Sequence, residues 1–286
     1  MKKILVPTDL SDVAELGLKL AVEIGIRCQA SVHLVNFTKH PVGQPFNSTG
    51  EVDTDVFDED AVFTLQMLHM RNKKLQHLAD EYESPEVPIE VSVVDDKFKT
   101  GLAKIVEEEK IDLIVMGTTG EENINETFSG NHAEQTIDNC ACPVISVRDG
   151  FSIENFKDIV VGVTVITDNQ LAEALGHVRF ISDCFNSHVH LVHVRDRAKD
   201  SNVILDEYFT RLATIAGIQK FSVMIFDADD IAKTIMSYGR EIHAGLITLI
   251  RASQDGLLRI FSKSITHKVV KQEGGPVFTL NLKKTD

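Results

Sequence analysis

In "KKILVPTDLSDVAELGLKLAVEIG", residues 2 to 25, two periodicities meet. Ile4 to Pro7 is an apolar run of strand length, and from Leu16 the apolar residues recur at Leu20 and Ile24, one face of a helix. Between them Ser11 or Asp12 offers a side-chain oxygen to the first free amides of that helix. A strand that feeds directly into a helix is half of a βαβ unit, the building block of parallel sheets.

The rest of the chain extends the same alternation. "ASVHLVNF" (30–37) and "VPIEVSVV" (87–94) read as strands, "GLAKIVEEEK" (101–110) as a short amphipathic helix, "IDLIVMG" (111–117) as a strand, "NHAEQTIDNC" (131–140) as a helix and "CPVISV" (142–147) as a fifth strand. The order then repeats. "FKDIVVGVTV" (156–165) parallels the opening strand, "SHVHLVHV" (187–194) the second, "KFSVMIF" (220–226) the third, "AGLITLI" (244–250) the fourth and "GGPVFTL" (274–280) the last. The His-Leu-Val core recurs at 33 to 35 and 190 to 192, and Pro-Val at 143 to 144 and 276 to 277. The repeat predicts an α/β fold of two tandem, Rossmann-like, open parallel five-stranded sheets with helices on both faces, a first domain over 1–149 and a second over 155–286. The copies differ in an insertion at about 38–84: a polar run, "TKHPVGQPFNSTGEVDTDVFDEDA", and then a helix in which Met67 and Met70 read as packing residues.

Charge and cysteine usage narrow the class. Residues 1–149 hold 13 Lys plus Arg against 27 Asp plus Glu and residues 150–286 hold 16 of each, so the net charge of -14 lies wholly in the first copy. That balance speaks against a duplex nucleic-acid footprint. No run approaches the roughly 20 apolar residues of a membrane span, and the start lacks a signal-peptide core. Cys28, Cys140, Cys142 and Cys184 lack zinc-site spacing and do not suggest a disulfide framework, so a reducing, cytoplasmic setting is expected.

Ligands of open parallel sheets bind beyond the carboxyl ends of the strands. In the first copy that edge gathers Pro7, Thr8 and Asp9, then Phe37, Val94 and "GTTGEENINETFSGN" (117–131). Asp9 can accept hydrogen bonds from a ribose or base, or serve the start of the helix; Phe37 and Val94 can bound a base, or simply end their strands. Gly117, Gly120 and Gly130 permit close backbone approach, and Thr118 adds a hydroxyl. The spacing is neither that of the phosphate loop ending in Gly-Lys-Ser/Thr nor the dinucleotide fingerprint.

The chain resembles a tandem universal stress protein. Nucleotide-binding members of that family carry Gly-x2-Gly-x9-Gly-Ser/Thr after the fourth strand, and this sequence has Gly117, Gly120 and Gly130 at those spacings, followed by Asn131. "VPTD" at 6–9 and "CPVISV" at 142–147 are similar to the family's first and last strands. The resemblance implies a stress or signalling protein with one ATP, ADP or AMP site, in which Asp9 and Phe37 meet the adenosine, Val94 lies at the base pocket, and Gly117, Gly120, Gly130 and Asn131 surround ribose and phosphates; Pro7, Thr8, Thr118 and His132 complete the candidate set. Glu121, Glu122 and Glu126, with no Lys or Arg from 111 to 147, call for Mg2+ or outward-pointing carboxylates if a triphosphate is bound.

In the second copy Thr164 falls opposite Asp9, while Ile250, Ser253, Lys263 and Ser264 replace the three glycines and Asn131, so one site per chain is expected. Arg251, Arg259 and Lys263 there read as a solvated rim or an anion site. No catalytic residue or metal cluster stands out: His188 and His190 share a strand face that His193 does not. Two other readings stay open, a protein that binds partners through the acidic insertion without nucleotide and a weak ATPase. The family pairs through final strands, which a tandem chain can do internally as a pseudo-dimer, with a further homodimer open.

Overall fold

The computed structural model describes residues 2–38, 59–119, 129–140, 142–195, 204–251 and 261–282. The first copy runs β1 (Lys3–Pro7), α1 (Asp12–Cys28), β2 (Ser31–Thr38), α2 (Glu59–Glu81), β3 (Ile89–Asp95), α3 (Phe98–Glu108), β4 (Leu113–Gly117), α4 (Ser129–Asn139) and β5 (Val144–Val147). A single 3-10 turn, Ile153–Lys157, leads to β6 (Asp158–Gly162), α5 (Asp168–Phe185), β7 (His188–Val194), α6 (Leu205–Ala216), β8 (Phe221–Phe226), α7 (Ile231–Glu241), β9 (Leu246–Arg251), α8 (Lys263–Gln272) and β10 (Val277–Asn281).

Among the described residues, ten strands form one mixed sheet in the order β3-β2-β1-β4-β5-β10-β9-β6-β7-β8, with helices on both faces. This corrects the expectation of two separate five-stranded sheets. Each copy contributes a parallel half with the same internal order, and the halves meet where β10 pairs antiparallel with β5, Phe278 opposite Ile145. The reason is physical: β5 and β10 would each be an edge strand with a row of unpaired amides and carbonyls, and each covers the other. β4, β5, β9 and the first four residues of β10 are buried, as expected of strands packed on both faces.

Local chemistry sets the β1–α1 turn. Ser11 caps α1, its Oγ accepting from Ala14 N at 3.2 Å. Leu10 takes φ 68°, a conformation that costs an L residue roughly 1–2 kcal/mol, while its amide donates to Thr8 Oγ1 at 3.0 Å. The helix then crosses β4 at very short range: a Cβ on Gly117 would lie 1.8 Å from the Val13 carbonyl oxygen.

The copies are also joined through helices. α1 packs on α5, which brings the Cα atoms of Cys28 and Cys184 within 5.3 Å in a disulfide. One link is not a disulfide framework, and the sequence gives no spacing signal for it at a separation of 156, because proximity comes from packing between the repeats. Cys140 and Cys142 are in no disulfide. No helix among the described residues is long and apolar enough to cross a membrane.

The helix of the insertion starts at Glu59, and residues 39–58 lie outside the described part. Leu75 and Ala79 bury it against the first copy, and Arg71 donates to Asn36 Oδ1 at 3.1 Å. Met70 is 61% exposed rather than packed.

Candidate functional site

The carboxyl end of β1 is fixed from several sides. The Thr8 amide donates to Val35 O at 2.8 Å, and the Asn36 amide group donates to Thr8 O at 2.7 Å. Asp9 follows as an exposed carboxylate whose Oδ1 accepts from Ser11 N at 3.0 Å and Ser11 Oγ at 2.6 Å. Of the two roles open to Asp9, the structure supports the local one directly: it orients Ser11, and Ser11 caps the helix.

Above this turn, Phe37 at the end of β2 meets Phe98, the first residue of α3, edge to face with centroids 5.4 Å apart. The His132 ring from α4 lies flat on Phe98, 4.0 Å away and only 3° from parallel. Burial pushes the His132 imidazole below its ordinary pKa, against the nearby charge of Asp9, which pulls it up. Gly101 makes room for the group, since a Cβ there would lie 2.8 Å from the Phe37 ring.

Pro7, Thr8, Asp9, Phe37, Gly117 and His132 line one pocket together with Ala14, Phe98 and Met116. Six of the eleven residues singled out from sequence therefore converge. Val94 sits beside Phe37 in the β2–β3 register but does not line the pocket. Thr118 is buried, and its amide donates to Val147 O at 2.9 Å. Gly120 lies outside the described residues, and Gly130 and Asn131 form part of the first turn of α4, side chain of Asn131 undescribed. The pocket holds about 50 Å3, room for about three waters at ~15 Å3 each.

The sequence model of the universal stress protein family matches residues 1–148. The chain belongs to the universal stress protein family. Universal stress protein MJ0531 of Methanocaldococcus jannaschii is 31% identical over 149 residues, covering 51% of this chain and 82% of that protein. Universal stress protein MJ0577 of the same organism is 24% identical over 153 residues, covering 51% of this chain and 94% of that protein. Along its whole length the chain is similar in fold to a universal stress protein from Archaeoglobus fulgidus DSM 4304, with a TM-score of 0.65 at 18% identity and 98% of both chains covered.

In this universal stress protein the second copy places larger side chains at the equivalent edge. Gly162 ends β6 as Pro7 ends β1, and the Phe261 ring, 5% exposed, stands 2.7 Å from where a Gly162 Cβ would be. Ile250 occupies the register of Gly117: Ile4 pairs Leu113 where Ile159 pairs Leu246. Room for that larger residue accompanies a connection one residue longer, Val163 to Thr167 before α5 against Thr8 to Ser11 before α1.

The cations flanking the second copy's loop have a different use from the rim or anion site expected of them. Arg251 donates to Ile137 O at 2.7 Å and lies 3.0 Å from Asp138 of α4; Lys263 also pairs with Asp138, and His267 Nε2 is 3.1 Å from it. Burial pushes the Asp138 carboxyl up, but the Lys263 hydrogen bond and the charges of His267 and Arg251 outweigh it and hold it below the usual carboxylate range. Arg259 lies outside the described residues. The second copy thus clamps the helix that carries His132.

At the opposite end of the strands, His33, Glu90 and Glu109 are close enough to share a cation. Lys3 already pairs with Glu109 and lies 3.6 Å from Glu90, and His33 Nδ1 is 2.9 Å from Glu109, so Glu109 already has two partners within the protein. His190 lies 3.0 Å from both Tyr238 Oη and Asp158, and His193 is buried 3.0 Å from Val163 O.

Proposed function

We propose that this universal stress protein binds one adenine nucleotide per chain, ATP, ADP or AMP, in a first domain over residues 1–149, and that the second domain, 155–286, holds the first in shape. The observation that carries the reading is the convergence of Asp9, Phe37, Gly117 and His132 on one pocket at the carboxyl edge of the sheet, where open parallel sheets take ligands. Asp9 receives the ribose hydroxyls through Oδ2, Phe37 and Phe98 bound the base, and the first turn of α4, with Gly130 and Asn131, presents backbone amides to the phosphates. Mg2+ offsets the carboxylates of the 117–131 loop when a triphosphate is bound. The β5–β10 junction supports an internal pseudo-dimer as the working unit.

Nucleotide binding is coupled to a stress or signalling output only where the bound and free conformations differ in affinity for a further partner. Calorimetry with ATP, ADP and AMP, with and without Mg2+, tests the first step. Saturable binding that Asp9→Ala weakens supports the assignment. No binding by the wild type at millimolar nucleotide refutes it.

A further inference from the structure

The pocket is far smaller than the roughly 300–1,000 Å3 of ordinary small-molecule sites, at about 50 Å3, and the side chain that lies across its aromatic wall is His132. An imidazole stacked at 4.0 Å and 3° on Phe98 has the geometry that a planar base adopts on an aromatic platform. The face of Phe98 therefore accepts a flat heteroaromatic ring, and one of the protein's own already lies on it. We infer that Phe98 is the stacking platform for the base and that His132 holds its place in the ligand-free protein, so a nucleobase binds by exchanging with the imidazole.

The inference rests on the nucleotide reading above and adds to it a residue that no glycine or strand-end motif contains. Three surroundings favour exchange over simple displacement of the wall. Phe98 is braced edge-on by Phe37 at 5.4 Å, and Gly101 leaves Phe37 no slack, with 2.8 Å to a Cβ placed there. α4 is held from its far end through Asp138. The platform is braced and the helix is anchored at its far end, so the exchange is a rotation of the His132 side chain on the first turns of α4 rather than a movement of either element. A pentose phosphate without a base has no ring to offer Phe98 and should leave His132 where it is. Exchange also makes the His132 ring a competitor: removing it strengthens base binding, the reverse of what the loss of a direct ligand contact does.

The test uses the full chain and the imidazole resonances, with His132 assigned by comparison with His132→Gln. In the ligand-free protein the His132 ring protons should resonate upfield, in the shielding cone of Phe98, and Phe98→Leu should abolish that shift. Saturating AMP should return them downfield, while ribose 5-phosphate should not. By calorimetry His132→Ala should bind AMP about threefold to tenfold more tightly, the range of an aromatic stacking contact, and Phe98→Leu should bind it more weakly by a similar factor. AMP that binds with the His132 resonances unmoved, or more weakly to His132→Ala than to wild type, overturns the exchange and leaves the nucleotide reading standing. No AMP binding by wild type and His132→Ala alike overturns both.

Discussion

Gly117 offers the sharpest separation between a glycine kept for a ligand and one kept for packing. A Cβ there would lie 1.8 Å from the Val13 carbonyl oxygen and 2.6 Å from its carbon, both backbone atoms of the first turn of α1, which cannot rotate aside. Overpacking by one methyl normally costs about 1–3 kcal/mol. Here relief requires shifting a 17-residue helix whose Gly17 is itself 2.9 Å, at a built Cβ, from the Gly117 amide. We expect Gly117→Ala to cost about 3 kcal/mol, the upper end of that range. Gly274→Ala, at a position with nothing within 4 Å, should stay within about 0.5 kcal/mol of wild type. Urea unfolding followed by circular dichroism, with the slope compared between variants, reads both. A Gly117→Ala protein as stable as wild type would refute the packing account and return the residue to a ligand role. The same clash means that binding lost in Gly117→Val reports on the fold as much as on the site; Asp9 is the better probe because its contacts to Ser11 support only a helix cap, worth about 1 kcal/mol.

Asp138→Asn leaves Arg251, with only 9% of its side chain exposed, short of its charge partner and should cost about 3 kcal/mol. Because the folded pKa of Asp138 is lowered, its contribution is full above the ordinary aspartate range and is lost as pH falls through the folded value; equal acid slopes for wild type and Asp138→Asn in urea unfolding would contradict this. Burial and the hydrogen bond to Glu15, 2.8 Å long, push Tyr82 up to about 12. The stability it supplies is therefore complete below pH 10 and fades towards 12, and Tyr82→Phe, costing about 1 kcal/mol at neutral pH, should remove that part of the alkaline loss; an ultraviolet titration that finds every tyrosine ionising near 10 would count against it. Denatured protein kept from reductant should present two thiols of its four cysteines and reduced protein all four; Cys28→Ser should cost about 2–4 kcal/mol, and four reactive thiols before reduction would rule out the Cys28–Cys184 link.

What could be read from the sequence follows from what is local. The ten strands and the helices after the first, third and fourth of them follow from runs of apolar residues and their spacing, and Asp9, Phe37 and Gly117 could be brought to one edge because a parallel sheet puts every strand's carboxyl end on the same side. The merger of two sheets into one was not legible: "CPVISV" and "GGPVFTL" are buried runs whose side chains name no partner strand, and their pairing depends on where the two copies dock. Arg251, Lys263 and Asp138 were hidden for the same reason, since a charge in a rim and a charge in an inter-copy clamp look alike until the helices are placed. Phe98 was missed because it follows Asp95, Asp96 and Lys97, a polar turn with no glycine signature; an aromatic residue at the first position of a helix beside the sheet's binding edge was the only available hint. Gly117 was noticed for its freedom, yet the neighbour that demands a glycine is a helix four residues past the opening strand.

Equilibrium dialysis of labelled adenine nucleotide against the full chain, with and without Mg2+, bears most directly on the central claim. One nucleotide per chain is predicted, retained when Phe261 is changed to leucine and weakened by Asp9→Ala. Two per chain would contradict the single-site account, and none would contradict nucleotide binding itself.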